Sequence, residues 1–351
     1  MNSNIKAKAA ILVNTGFPLE IKQVKLPILQ NGQVLIKISY SGVCRSQLME
    51  VRGGRGEDFW LPHMLGHEGS GEVLFIAEDV TKVKIGDKVI LGWIRGEGLD
   101  AIGAKYTCDG QIINSGKVTT FSTHTIASES RVVKIPDGIP MDVAVLFGCA
   151  LLTGAGMVFN QLKPEQNKNI IVLGLGGIGL SALMALNLYK CKSLIAIDVN
   201  DEKLKLAKEF GATHCINATK ENVLEVVNMI TENEGADGCI ESAGKVETIE
   251  TGLALINNSG KLIFASHPPN EEYIKIKPHD LISGKQIIGS WGGASSPDSD
   301  IKTLADIYMQ GKFPLQKLIN KRYKLEEINQ ALEDLENGTA FRPIIEMNHD
   351  Y

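Results

Sequence analysis

From residue 169 onward the sequence repeats one pattern that leaves few folds open. Six apolar runs of strand length follow one another: "NIIVLGLG", "KSLIAIDVN", "ATHCIN", "ADGCIESAG", "GKLIFAS" and "KQIIGSW". Amphipathic stretches such as "DEKLKLAKEFGA", "ENVLEVVNMITENEGA" and "KVETIETGLALINNSG" lie between them. A short, uninterrupted apolar run suits a strand buried on both faces. Parallel strands need a crossover, usually a helix, before the next can begin. The pattern predicts an α/β fold built on a doubly wound parallel sheet.

The first of these runs continues into "GLGGIGLSAL", which places Gly174, Gly176 and Gly179 in a G-x-G-x-x-G spacing. The spacing alone is weak, but here it follows a strand and opens a helix, the context a dinucleotide requires. The first glycine permits the turn, and the second lets the backbone approach a pyrophosphate seated on the helix N-terminus. The third allows helix and strand to pack closely. Asp198 ends the next strand, about 20 residues on, where an acid binds both hydroxyls of an adenosine ribose and repels a 2′-phosphate. NAD is the expected cofactor, and residues 151–292 the domain that binds it.

Residues 1–150 carry a different rhythm. "GQVLIKISYSG", "GSGEVLFIAEDV", "KIGDKVILGW" and "FSTHTIASESRVVKIPDGIP" are short strands with Gly and Pro punctuation about every ten residues. An all-β, barrel-like body is expected. Residues 293–351 return to it with a helix in "SDIKTLADIYMQGK", the stretch "LEEINQALEDLENG" and a short apolar strand, "RPIIEM".

With 44% hydrophobic and 22% charged residues the chain can bury a full core. Its net charge of -5 and lack of a dense basic run argue against nucleic acid and anionic membranes as partners. "IIVLGLGGIGLSALMALNL" has the length of a membrane span, but its glycines fit a buried strand–turn–helix better. The N-terminus lacks a signal-peptide pattern, and the cysteines at 44, 108, 149, 191, 215 and 239 form no C-x-x-C pair. A reducing cytoplasm is expected, with no disulfide framework.

Three short stretches carry the remaining chemistry. "SGVCRSQLME" holds Cys44, "LGHEGSGEV" holds His67 and Glu68, and "LFGCALLTG" holds Cys149. His63 and His67 have an i, i+4 spacing, but Pro62 and the nearby glycines argue against a helix there. Cys44, His67 and Cys149 make a Cys2His set, which leaves a fourth zinc position open, the pattern of a catalytic site.

With these motifs the chain resembles a zinc-dependent alcohol dehydrogenase of the medium-chain dehydrogenase/reductase family, nearly end to end. "GVCRS", "GHEGSGEV", the "GDKV" turn, "GCALLTG", "GLGGIG", "DVNDEKLKLAKEFGA" and "FRPIIEM" carry the likeness. The nearest pattern is the branch that includes the glutathione-dependent formaldehyde dehydrogenases. The resemblance implies a GroES-like β-barrel catalytic domain beside the Rossmann domain. It implies that Cys44, His67 and Cys149 hold zinc, with Glu68 behind as an occasional ligand. By the same resemblance Ser46 binds the substrate oxygen, and Arg45 and Arg342 face the pyrophosphate. Thr153 and Ile178 touch the nicotinamide, Asp198 and Lys203 the adenosine ribose, and Trp93 walls the substrate pocket.

The chain departs from that family in three places. Most members of the branch carry four close cysteines for a structural zinc, but here "ILGWIRGEGLDAIGAKYTCDG" holds only Cys108, so one zinc per chain is expected. Met49 replaces the histidine that passes the proton to solvent in many members, and Gln47 replaces the aspartate that orients the zinc-bound histidine. His267 stands where an apolar residue usually lies beside the nicotinamide.

The expected reaction is reversible hydride transfer between an alcohol and NAD, by a homodimer acting on a small molecule. Trp93 and His267 favour a polyol or sugar derivative. Loss of a zinc ligand would point to a zinc-free enone or quinone reductase, but all three are present. The altered surroundings of His67 are the only support for a catalytically silent NAD-binding protein.

Overall fold

A computed structural model of the chain describes residues 5–265, 267–269 and 271–349. Two units divide the described residues: Met1–Cys149, Ser296–Gln310 and Leu315–Tyr351 in one, Ala150–Ser295 and Gly311–Pro314 in the other.

In the second unit all six apolar runs are strands. They lie in the order His214–Asn217, Ser193–Asp198, Asn169–Leu173, Ala236–Glu241, Ile256–Phe264, Gln286–Gly289, every neighbouring pair parallel. This is the doubly wound order, and the chain reverses direction across the sheet beside Asn169–Leu173, where such folds bind ligands. Asn169–Leu173 is buried along its whole length because its neighbours and the helices cover both faces. Ile171 faces Ile195 on one side and Cys239 on the other. Each such aliphatic side chain stabilises the fold by about 1.5–3 kcal/mol when buried. "IIVLGLGGIGLSALMALNL" is this strand followed by the helix Gly177–Leu186. Among the described residues no single helix is long and apolar enough to cross a membrane.

In the first unit Lys6–Leu12, Glu20–Lys25, Lys105–Cys108, Gln111–Asn114 and His63–Met64 close a five-stranded barrel. Ile11, Val24, Tyr106 and Ile113 belong to its core. Cys108 is buried in the same cluster, which lifts its thiol above the ordinary range, and it joins no group of metal-ligating side chains among the described residues. A second sheet runs Val132–Lys134, Lys88–Gly92, Glu68–Ile76, Gln33–Gly42, Ile344–Glu346, Arg322–Lys324.

The register of this second sheet builds one end of it into a site. Ser41 lies opposite Gly69, Glu68 opposite Gly92, and Gly42 opposite Ile344. The chain therefore delivers Cys44, His67, Trp93 and Arg342 to the same edge, each within two residues of a paired strand end.

Candidate active site

Cys44 caps the helix Arg45–Val51. Its backbone is extended, and its N–H donates to Gln47 Oε1 at 3.0 Å. His67 immediately precedes the strand Glu68–Ile76. Cys149, φ −148° and ψ −80°, breaks the helical path between Val145–Gly148 and Ala150–Gly156, and so turns its thiol out of both. The ligand atoms of Cys44, His67, Glu68 and Cys149 all lie within 4.8 Å of one another. His67 Nε2 is 3.2 Å from Cys149 Sγ, and its Nδ1 faces the side-chain amide of Gln47.

The cluster is largely buried, with His67 half-buried, and its two thiols act strongly on each other. A hydrogen bond from Cys149 holds the Cys44 thiol well below its ordinary range. Burial opposes this, while His67 and Arg342 assist it. The same bond pushes Cys149 well above its own range. The pair thus parts with one proton readily, and a metal must displace the second, so metal affinity rises with pH. Burial lifts the carboxyl of Glu68 against the pull of Arg342. Burial also works against the charge on Arg342, but Glu68 and the two thiols outweigh it and keep the guanidinium protonated.

Three observations fit a divalent metal. Two thiolates and the Glu68 carboxylate, set against Arg342, are neutralised by a doubly charged cation, and a buried cluster demands that balance. Glu68 gives one oxygen to Arg342, while its Oε1 is buried without a hydrogen-bond partner. Ser46 Oγ, two residues from Cys44, is likewise buried and unpartnered. A thiolate–imidazole donor set suits zinc.

In the second unit the three glycines take up distinct tasks. Gly174 has φ +87°, and a methyl there would meet Ala243 N at 2.6 Å. A methyl on Gly179 would lie 1.9 Å from Gly174 O. Gly176 has nothing within 4 Å, so the protein itself does not demand a glycine there, and the space is free for a ligand. Asp198 is half-buried at its strand end. It accepts from Leu175 N at 2.6 Å, Val199 N at 2.8 Å and Asn200 N at 3.0 Å, which pins the glycine turn. Ile178 lies half-buried in the first turn of the helix Gly177–Leu186, Lys203 on the helix Asp201–Glu209, and Thr153 buried on Ala150–Gly156.

The other expected residues fall as follows. Arg45 is exposed on its short helix, and Met49 is half-buried on it. Trp93 is half-buried with its ring 6.5 Å from that of His67, edge to face. His267 is exposed and meets Trp291 edge-on at 6.0 Å. Arg342, expected on a pyrophosphate, is only 4% exposed and is engaged with Glu68. Sequence reasoning paired neither Arg342 with Glu68 nor Gln47 with the Cys44 backbone. The signal for the second was present, since a polar side chain three residues into a helix commonly reaches back to its cap.

Comparison with known proteins adds to this geometry. Residues 30–137 match the alcohol dehydrogenase GroES-like domain, and residues 177–309 match the zinc-binding dehydrogenase family. The S-(hydroxymethyl)glutathione dehydrogenase of Paracoccus denitrificans is 29% identical over 374 residues, covering 97% of this chain and 100% of that one. Among solved structures, an alcohol dehydrogenase zinc-binding domain protein from Burkholderia ambifaria superposes with a TM-score of 0.90 at 26% identity. The benzyl alcohol dehydrogenase of Acinetobacter calcoaceticus does so with 0.88 at 29%. Each comparison covers 98% of this chain and 100% of the other.

Proposed function

Since the chain belongs to the zinc-dependent alcohol dehydrogenases of the medium-chain dehydrogenase/reductase family, we infer that Cys44, His67 and Cys149 hold its catalytic zinc. It is an oxidoreductase that transfers hydride between an alcohol and NAD. The observation that carries the residue assignment is the convergence of two thiols and an imidazole beside the unpartnered Ser46 Oγ.

When bound, zinc supplies Lewis acidity toward the substrate oxygen, and NAD accepts the hydride. Ser46 Oγ would take the proton of the substrate hydroxyl as it passes its own hydroxyl proton on toward solvent, a relay for which its buried, unspent hydrogen-bonding capacity suits it. Glu68 keeps one oxygen free toward the cluster while Arg342 holds the other. Met49 carries no exchangeable proton, so the proton leaves Ser46 by another route. Gly174, Gly176 and Gly179 would form the turn that takes the pyrophosphate, with Arg45 facing it. Asp198 and Lys203 would hold the adenosine ribose, and Thr153 and Ile178 would border the nicotinamide. Arg342 serves the pyrophosphate only if it turns from Glu68, and its burial favours the latter partner. A zinc-free reductase finds no support in a complete ligand set.

The Asp198 carboxylate sets the cofactor preference. Asp198→Ala is expected to narrow the preference for NADH over NADPH by about tenfold, the scale of one screened like-charge contact. Fluorescence titration with both cofactors checks this; tighter NADPH binding by the unsubstituted protein would sink it.

The substrate we propose is a hydroxylated one, a polyol or sugar derivative, with the Trp93 ring packing on its carbon face. His267, exposed, donates to or accepts from one of its hydroxyls, since an imidazole offers both kinds of nitrogen. A rate screen of polyols, benzyl alcohol and S-(hydroxymethyl)glutathione with NAD tests the class. With the best substrate, His267→Asn is expected to lower kcat/KM several-fold, about 1 kcal/mol. An unaltered rate would make His267 a bystander.

The chain is read as a cytoplasmic homodimer: all six cysteines are free thiols, and Gln286–Gly289 is an exposed edge of the parallel sheet. Pairing of two such edges would join the sheets of two copies. Sedimentation equilibrium should give twice the chain mass, and a monomer at every concentration would refute the pairing.

A further inference from the structure

The histidine that sequence reasoning set aside, His63, heads a second cluster. Glu50, on the helix Arg45–Val51, and Asp58 converge on it at the wall of a cavity of about 660 Å³ that Gln47, His67 and Lys117 also line. His63 Nε2 is 2.8 Å from Asp58 Oδ2 and 3.9 Å from Glu50 Oε1. Its Nδ1 donates to the carbonyl of Met64 at 3.1 Å. The imidazole is only 7% exposed, and with Nδ1 so engaged, Nε2 is the ring atom that faces the two carboxylates. Two carboxylates that converge on one ring nitrogen call for a cation between them, either a proton on Nε2 or a metal.

The geometry suits a metal better than a proton. A proton on Nε2 serves one carboxylate, yet two converge here. Ligands about 2.0–2.2 Å from a tetrahedral ion stand about 3.4 Å apart, and the two spacings bracket that value. Each ligand is also fixed from behind. Met64 O orients the imidazole, Trp60 N donates to Asp58 Oδ1 at 2.9 Å, and Arg55 holds Glu50 Oε2 at 3.5 Å. Those outer contacts leave His63 Nε2, Asp58 Oδ2 and Glu50 Oε1 facing one another, the first two within hydrogen-bonding distance, as the outer contacts of a metal site do.

We propose that Glu50, Asp58 and His63 form a second divalent-metal site, with its remaining positions open to the cavity. One nitrogen and two oxygens, with no thiolate, suit Mn²⁺ or Zn²⁺, and hold zinc less tightly than the Cys2His cluster does. The proposal does not depend on the reading of the catalytic cluster.

The test uses the zinc-loaded protein after dialysis to constant zinc content. Mn²⁺ is titrated in, and the free ion is followed by its six-line electron paramagnetic resonance signal. One Mn²⁺ is expected to bind per chain with the original zinc retained. His63→Ala and Glu50→Gln should each weaken Mn²⁺ binding by at least about tenfold. Both variants should keep their zinc and their NADH binding, which reports an intact fold. Absence of saturable Mn²⁺ binding in the unsubstituted protein, with no second zinc equivalent on adding zinc, overturns the proposal and leaves a protonated ion pair in its place. Binding that survives both substitutions overturns it as well.

Discussion

Replacing Cys44 or Cys149 with serine is expected to remove the catalytic zinc and at least about a thousandfold of the activity, some 4 kcal/mol of transition-state stabilisation. The loss follows from charge and softness together. A serine hydroxyl stays neutral at pH 7 and is a poor zinc ligand beside a thiolate. It also leaves a divalent cation and Arg342 facing only one thiolate and Glu68, an unbalanced positive charge in a buried site. After dialysis against a mild chelator the unsubstituted protein should keep about one zinc per chain, since among the described residues Cys108 has no companion ligands. Elemental analysis and initial rates check both statements. A serine variant that holds a full equivalent of zinc, or works within tenfold of the original rate, defeats the ligand assignment.

Gln47→Glu is expected to raise zinc affinity about 10- to 100-fold, the usual worth of a hydrogen bond to a metal-bound histidine. To give Nε2 to a metal, His67 must carry its proton on Nδ1, where the Gln47 amide lies against it. If the amide turns its NH₂ to Nδ1, donor meets donor. If it turns its oxygen there, the NH₂ meets the Cys44 N–H, which now donates to Gln47 Oε1 at 3.0 Å. Either way one buried donor is unmet, at a cost of about 1–3 kcal/mol. A carboxylate of the same shape accepts from both. Competition with a zinc chelator measures the gain, and an unchanged or weaker affinity would remove Gln47 from any role in tuning the metal.

The parallel sheet was legible because its strands are continuous apolar runs and its helices amphipathic, a signal that survives without any knowledge of partners. The convergence of Cys44, His67 and Cys149 was legible because thiols and an imidazole beside glycine turns are rare enough to stand out. The pairing of Glu68 with Arg342 was not, because a contact across 274 positions leaves no period or spacing to read. Nor was the convergence on His63, since Glu50, Asp58 and His63 sit on a helix, a loop and a two-residue strand with no common rhythm. The glycine turn was read for a ligand alone, whereas the three backbone bonds of Asp198 show that this residue also holds the turn in shape.

The strand Ile344–Glu346 lies between Gln33–Gly42 and Arg322–Lys324, with Arg342 just ahead of it. On the ribosome this gives the two units opposite schedules. The six-stranded sheet uses one nearly unbroken stretch of chain and has all its strands by Gly289. The sheet that bears Cys44 and His67 lacks an interior member until Ile344–Glu346 has been added, after the whole six-stranded sheet. A nascent chain therefore owns Cys44, His67 and Cys149 long before it owns the guanidinium that balances Glu68, and the buried charge is settled only once Arg342 has been made.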